Sequence, residues 1–270
     1  MNRRSWMHSV GAATLATVAA GSQAQTQTAA AGAAKPATFV LVHGAWHGGW
    51  CWQRVAALLQ AQGHRVYAPT LTGLADRSHL FSPALNLRTH IDDVANLIRW
   101  DDLDQVVLCG HSYGGMVISG VAQELQPRIK ALVYLDAFVA EPGVSLLDLS
   151  GAAVRERIAG LVGADRQIAP TPSRLFMVNE ADQAWVDAKC TPQPYQTFID
   201  TLPATDAIMR VPTRHFVRAA KYDSESFRKQ AAKLRAQQGW HLTDLPHGHD
   251  LMLDAPADVA RILLAASAQS

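Results

Sequence analysis

The chain is poor in the features that mark several protein classes. It has only three cysteines in 270 residues, Cys51, Cys109 and Cys190. The count is odd and no two form a C-x-x-C pair, which argues against a zinc site or a disulfide framework. Cys109 lies inside an apolar run and reads as a small buried residue. An oxidising compartment would permit a Cys51–Cys190 bridge, which the sequence leaves open. Charge of one sign is also scarce: the formal net charge is +1, 17% of residues are charged, and no long acidic or basic run occurs. Nothing therefore favours a nucleic acid or an anionic membrane as partner. Internal repeats are not apparent. The Ala-rich run from Val10 to Ala20 is too short, at about 1.5 Å per residue, to span a bilayer, so no stable membrane anchor is expected.

That run reads instead as part of an export signal. Arg3 and Arg4 precede it, and Ser22-Gln23-Ala24 supplies small residues where a signal peptidase would cut. The pattern resembles a twin-arginine signal, with Trp6 and Met7 at its bulky apolar positions. Residues 1–24 are thus expected to be removed on export to the periplasm, with 25–36 a flexible lead into a fold that starts near Pro36.

What remains alternates regularly. "ATFVLVHG" is a short apolar run closed by glycine, hence a buried strand. "WQRVAALLQAQG" has helical spacing and stops at Gly63. "HRVYAPT" is the next strand, "LTGLADRSHLFSPALN" a loop, and a helix follows from Thr89. "DQVVLCG", "YGGMVISGVAQELQ" and "IKALVYLDAFV" continue as strand, helix and strand. This is the pattern of an α/β protein, a mostly parallel sheet with helices on both faces. From about Glu141 to Ala207 the alternation pauses in a mixture of Pro, Gly, Trp and short helical patches, expected to be a cap inserted over the sheet edge. Regularity returns with "TRHFVRA", "SESFRKQAAKLRAQ", "WHLTDL" and "PADVARILLAA", where Pro256 suits a first helical turn.

Chemistry concentrates at the strand ends. Gly110-His111-Ser112-Tyr113-Gly114 matches G-x-S-x-G between a strand and a helix. Such a turn is too tight for side chains on either side of the serine, and it exposes the hydroxyl. A serine needs a base, and His249 in "LPHGHDLMLDAP" follows the last strand at the same sheet edge. His247 reads as loop, and His111 should point away from Ser112. The base needs an acid. Asp136 closes an otherwise apolar strand, which is costly without a partner. Asp223 follows "RHFVRA" but also occupies an N-cap position. Asp136 is favoured and Asp223 stays open. The backbone N–H of Tyr113 is expected to be one oxyanion donor, and the loop after the first strand, where Gly44 and Ala45 let backbone approach substrate, is expected to supply the other. His43, Gly44 and Trp46 are expected to meet substrate, while at least one of Trp46, Trp50 and Trp52 belongs to the core.

Over residues 37–268 the chain resembles the α/β-hydrolase superfamily. "FVLVHGAWHGGWCW", "GHSYGGMVI" and "GHDLMLDAP" look like the plant methyl esterase and hydroxynitrile lyase group and its bacterial esterase relatives. The last two blocks, with "LVYLDAFV", look especially like bacterial members that hydrolyse carbamate and ester pesticides such as carbendazim. The resemblance implies Ser112 as nucleophile, His249 as base, and Ala45 and Tyr113 as oxyanion donors. Hydroxynitrile lyases of the group carry a threonine where this chain has Gly44 and a lysine where it has Asp250. An aspartate there would repel departing cyanide. The plant enzymes place their acid after the strand equivalent to "RHFVRA", where Lys221 and Tyr222 fall without a gap. In haloalkane dehalogenases the acid can follow the strand equivalent to "VYLD", which supports Asp136.

The expectation is an exported serine hydrolase acting on small esters or carbamates through an acyl-enzyme. It requires no metal and no organic cofactor. The rivals are a lyase of the same fold and a ligand-binding protein that has lost catalysis.

Overall fold

A computed structural model describes residues 35–269. The expected export signal, and the lead as far as residue 34, lie outside the described residues. The strands are β1 (Thr38–Val42), β2 (Arg65–Tyr67), β3 (Val106–His111), β4 (Ile129–Leu135), β5 (Gln167–Ile168), β6 (Gln193–Pro194), β7 (Thr213–Ala219) and β8 (Trp240–Leu245). Six of them form one sheet in the order β2-β1-β3-β4-β7-β8. Every pairing in it is parallel. β5 and β6 form a separate antiparallel pair.

Central strands β1 and β3 are buried at every position, and β4 at all but one. Their continuous apolar sequences follow from that, since helices cover both faces of a parallel sheet. Helix α1 (Gln53–Gln60) packs against the C-terminal helix Pro256–Ala268 on one face. On the other, α2 (Leu87–Trp100) packs against α3 (Gly114–Leu125). Asn86 starts α2 by accepting the Thr89 N–H at 3.0 Å, which satisfies a donor left free at the helix end. Pro256 takes the first position of the last helix, where no N–H is needed.

The strand order turns about between β1 and β3, the switch point at which such sheets bind ligands. Register sets Val42 beside Gly110 and His111 beside Leu135. The residues that follow, 43–45, 112 and 136, therefore emerge side by side at one edge.

The structure answers one question the sequence left open and corrects one expectation. Cys51, Cys109 and Cys190 are all free, so no Cys51–Cys190 bridge is present. The stretch read as loop contains a short 3-10 run, Ala75–Leu80. It is stitched back to Thr70, whose hydroxyl donates to Asp76 at 2.7 Å and whose carbonyl accepts from Arg77 at 3.0 Å.

Between β4 and β7 the chain leaves the sheet. It forms helices Leu146–Leu149, Ala152–Leu161, Glu180–Lys189, Gln196–Ile199 and Ala207–Arg210 around the β5–β6 pair. Gln193 in β6 accepts the Trp46 N–H at 3.1 Å, and the Ile168 carbonyl in β5 accepts the Trp46 indole N–H at 3.1 Å. The inserted stretch is thus tied directly to the loop after β1.

Candidate active site

Ser112 sits between β3 and α3 with φ +51, in the left-handed region that residues with a β-carbon avoid. Its backbone is held from both sides. The N–H donates to the Leu135 carbonyl at 3.3 Å, and the carbonyl accepts from Gly115 at 3.0 Å and Phe138 at 3.1 Å. Strain of this kind persists only where surrounding bonds over-determine it. The flanking glycines are sterically required. A β-carbon on Gly110 would lie 2.6 Å from the Gly114 carbonyl oxygen, and one on Gly114 would lie 2.7 Å from those of Val42 and His43.

His249 follows β8 and is nearly buried. Its Nδ1 meets Asp136 Oδ2 at 2.6 Å. A carboxylate accepts, so Nδ1 carries the proton and the lone pair is left on Nε2. Asp136 is fully buried just beyond β4, and its other oxygen accepts the Ala219 N–H at 3.0 Å. Burial raises its carboxyl above the ordinary 3.8, while the His249 hydrogen bond pulls the other way. The imidazole is enclosed by aromatic rings, with Tyr222 at 4.7 Å, Phe176 at 5.3 Å and Phe227 at 5.6 Å between centroids.

Asp223, the other candidate acid, lies elsewhere. It is half exposed and pairs with Arg218 at 3.3 Å and Arg228 at 3.5 Å. It does not cap the next helix either, which begins at Glu225 after Ser224.

Ser112, His249, Ala45, Tyr113 and Trp46 all line one narrow cavity of about 50 Å³. Among the described residues the N–H groups of Ala45 and Tyr113 have no acceptor. The Tyr113 ring is fixed beneath. Because His90 Nε2 donates to the Thr72 carbonyl at 2.9 Å, His90 Nδ1 must accept the Tyr113 hydroxyl at 2.8 Å. Trp46 has φ +65 and is held by its two bonds to the inserted stretch. Trp52 is core, and Trp50 stacks on His47 and meets Trp185 edge to face.

His43 and Gly44 were expected at the substrate and are not among the cavity-lining residues. His43 is wholly buried with both ring nitrogens engaged. Nδ1 donates to the Gly44 carbonyl at 2.8 Å and Nε2 accepts from Leu71 at 3.0 Å. Burial lowers its pKa to about 3, so it is a neutral brace for the loop. Gly44 packs against the nucleophile turn: a β-carbon there would lie 2.7 Å from His111 Nδ1 and 3.0 Å from Ser112 Cβ.

One pair escaped the sequence reading. His47 Nδ1 faces the Ala45 carbonyl at 2.8 Å, and His47 Nε2 faces Asp250 Oδ2 at 3.0 Å. Both neighbours are acceptors, so a charged, doubly protonated His47 donates from both ring nitrogens, one of them to an ionised Asp250; Asp250 Oδ1 is left buried without a hydrogen-bond partner. Burial opposes charge on His47, but Asp250 outweighs it and raises its pKa above 6.5. Burial also opposes charge on Asp250, and His47 nonetheless holds that carboxyl well below its ordinary value. Asp250 is therefore not a group facing the substrate, as the argument about cyanide assumed; its carboxylate is turned beneath His249. His111 lies beside it with Nε2 donating to the His249 carbonyl at 3.1 Å. His111, His249 and Asp250 cluster closely enough to suggest a metal site. His111 Nε2, His249 Nδ1 and Asp250 Oδ2 are engaged in this network, which braces the loop, while His111 Nδ1 and Asp250 Oδ1 have no hydrogen-bond partner.

Comparison with known proteins bears on the family and the fold. The model of the alpha/beta hydrolase family matches residues 39–262. The carbendazim hydrolyzing esterase of Nocardioides sp. (strain SG-4G) is 42% identical over 239 residues, covering 85% of this chain and 99% of that protein. Methylesterase 1 of Arabidopsis thaliana is 35% identical over 105 residues, 38% of this chain and 40% of that one. Among solved structures, an extracellular alpha/beta-hydrolase from a Paenibacillus species superposes with a TM-score of 0.75 at 24% identity, covering 87% of this chain and 100% of that chain. A strained serine after the third strand, a buried histidine–aspartate pair beside it and a matching family model spanning nearly all of the described residues lead to one assignment: the chain belongs to the alpha/beta hydrolase family.

Proposed function

We propose that the protein is a serine hydrolase of small carboxylic esters or carbamates, working through a Ser112–His249–Asp136 triad. The observation that carries the reading is the 2.6 Å bond from His249 Nδ1 to Asp136, which leaves Nε2 unprotonated in the cavity that Ser112 lines. Ser112 Oγ attacks the carbonyl carbon as His249 Nε2 takes its proton. Asp136 fixes the tautomer and stabilises the imidazolium. The tetrahedral oxyanion receives the N–H groups of Ala45 and Tyr113, each donor contributing about 3 kcal/mol of transition-state stabilisation. His249 then protonates the departing alcohol or amine. Water, deprotonated by the same nitrogen, releases the acid from the acyl-enzyme. The similarity to an esterase named for carbendazim and to a plant methylesterase supports carbamates and small esters as the substrate class.

A cyanohydrin lyase is disfavoured on steric grounds. The threonine of such lyases would place its β-carbon 2.7 Å from His111 Nδ1 at position 44. Residue 250 supplies no cation for a leaving cyanide.

The test is hydrolysis of p-nitrophenyl acetate by the mature protein and by Ser112→Ala. Turnover abolished by the substitution is expected. Turnover that survives it would overturn the mechanism. We also propose export through the twin-arginine pair at Arg3 and Arg4, with 141–207 acting as the cap. Cell fractionation of an Arg3→Lys/Arg4→Lys variant should retain the protein inside the cytoplasm.

A further inference from the structure

Most of the cavity wall is aromatic or aliphatic, and no carboxylate belongs to it. Arg157 is the exception, the one lining residue with a permanent charge among the described residues. It stands on helix Ala152–Leu161, where Val154, Arg157 and Ile158 also line the cavity. Their i, i+3, i+4 spacing puts all three on one helical face, so Arg157 is directed by the same geometry that buries Ile158.

Its bonding is incomplete. The Nε of Arg157 is buried and has no hydrogen-bond partner. Among the described residues Arg157 forms no ion pair, unlike Arg54, Arg88 or Arg218. Arg155, two residues earlier on another face, is satisfied by the Ser150 carbonyl at 2.7 Å. Arg157 acts on the phenol of Tyr222 through its charge and a side-chain hydrogen bond, both opposing the rise that burial imposes, and the Tyr222 ring lies 4.7 Å from that of His249. The guanidinium is therefore on the histidine side of the reaction centre. A donor left without an acceptor in apolar surroundings is costly, and the low local dielectric strengthens whatever bond a ligand offers it.

We infer that Arg157 is a specificity-determining residue: it binds a second acceptor on the substrate, apart from the scissile carbonyl, and favours esters whose acyl or alcohol part ends in a carboxylate. A guanidinium can take a carboxylate through two parallel N–H bonds, which a neutral carbonyl uses only in part. The inference deepens the hydrolase reading and rests on it for turnover.

Three p-nitrophenyl esters of matched length separate the cases: the monoester of glutaric acid, its methyl ester, and the valerate. In wild type kcat/KM should fall in that order, with about tenfold or more between the first and the last. Arg157→Met should collapse the preference, and Arg157→Lys should restore part of it by returning the charge without the fork. Equal rates on glutarate and valerate, or a preference that survives Arg157→Met, would overturn the inference while leaving the hydrolase intact. A second measurement does not need turnover. Calorimetry of glutarate binding to Ser112→Ala should show affinity that Ser112→Ala/Arg157→Met lacks; absence of that difference also overturns it. Should no ester be cleaved while this binding difference holds, the hydrolase reading fails and the recognition site stands.

Discussion

His47 and Asp250, 203 residues apart in sequence, meet at 3.0 Å with almost no solvent contact on either side chain. The pair joins the loop after β1, which carries Ala45, to the loop after β8, which carries His249. Breaking it from one side leaves a charge in the core. His47→Phe should therefore cost on the order of 3–5 kcal/mol of unfolding free energy, measurable by urea titration. A double variant, His47→Phe with Asp250→Leu, should recover much of that loss, because no unpaired charge remains. A single variant within about 1 kcal/mol of wild type would mean that the pair carries no such burden.

The same pair predicts a pH dependence. Asp250 has an ordinary value of 3.8 and lies well below it in the fold, so its contribution is present above about pH 4 and lost as pH falls through the depressed folded value. His47 is raised above 6.5, so its contribution is full below that pH and is lost as pH rises through the folded value. The stability difference between wild type and Asp250→Asn should therefore be largest between about pH 4 and 6.5 and shrink on the alkaline side. His43, held at about 3, has the opposite slope but is common to both proteins and cancels in the difference. Melting temperatures across pH 4–9 give the curve; a difference that grows with pH would contradict the charged His47.

The triad acid is tested by two aspartates side by side. Asp136→Asn keeps the shape but no longer demands a proton on His249 Nδ1, so kcat for p-nitrophenyl acetate should drop by roughly 10³-fold or more. Asp223→Asn removes only exposed contacts to Arg218 and Arg228 and should stay within about twofold of wild type. The reverse ranking would move the acid to the strand end that the plant enzymes use.

How much of this was legible beforehand depended on range. Ser112 announced itself because its constraints are local: a strand, a helix and two glycines within five residues. Asp136 was legible as a carboxylate ending an apolar strand, and its competitor Asp223 could not be dismissed, since only folding turns it toward two arginines. His47 stood in a quoted motif and went unread, because its partner lies at the other end of the chain. Asp250 was seen, yet its facing was misjudged; alternation along a loop carries no period from which to read direction. His43 failed for a similar reason, as a histidine beside a glycine loop looks the same whether it braces or binds. Arg157 and Phe176 lie in the stretch without sheet periodicity, where nothing in the sequence marks which side meets the cavity.

Glycine offers the sharpest contrast between strain and freedom. A β-carbon at Gly110 would meet the Gly114 carbonyl oxygen at 2.6 Å and the Gly115 nitrogen at 3.0 Å, all backbone that cannot swing aside. Gly110→Ala should cost about 3 kcal/mol or more and displace Ser112 with it, so activity falls even in the fraction that folds. At Gly160, in helix Ala152–Leu161, nothing lies within 4 Å of the same added atom. Gly160→Ala removes backbone freedom from the unfolded chain and should stabilise by about 0.4–1 kcal/mol. Thermal unfolding of the two variants should therefore shift in opposite directions. Matching shifts would mean that the turn around Ser112 is looser than its hydrogen bonds imply, and that the exposed hydroxyl is not held by sterics at all.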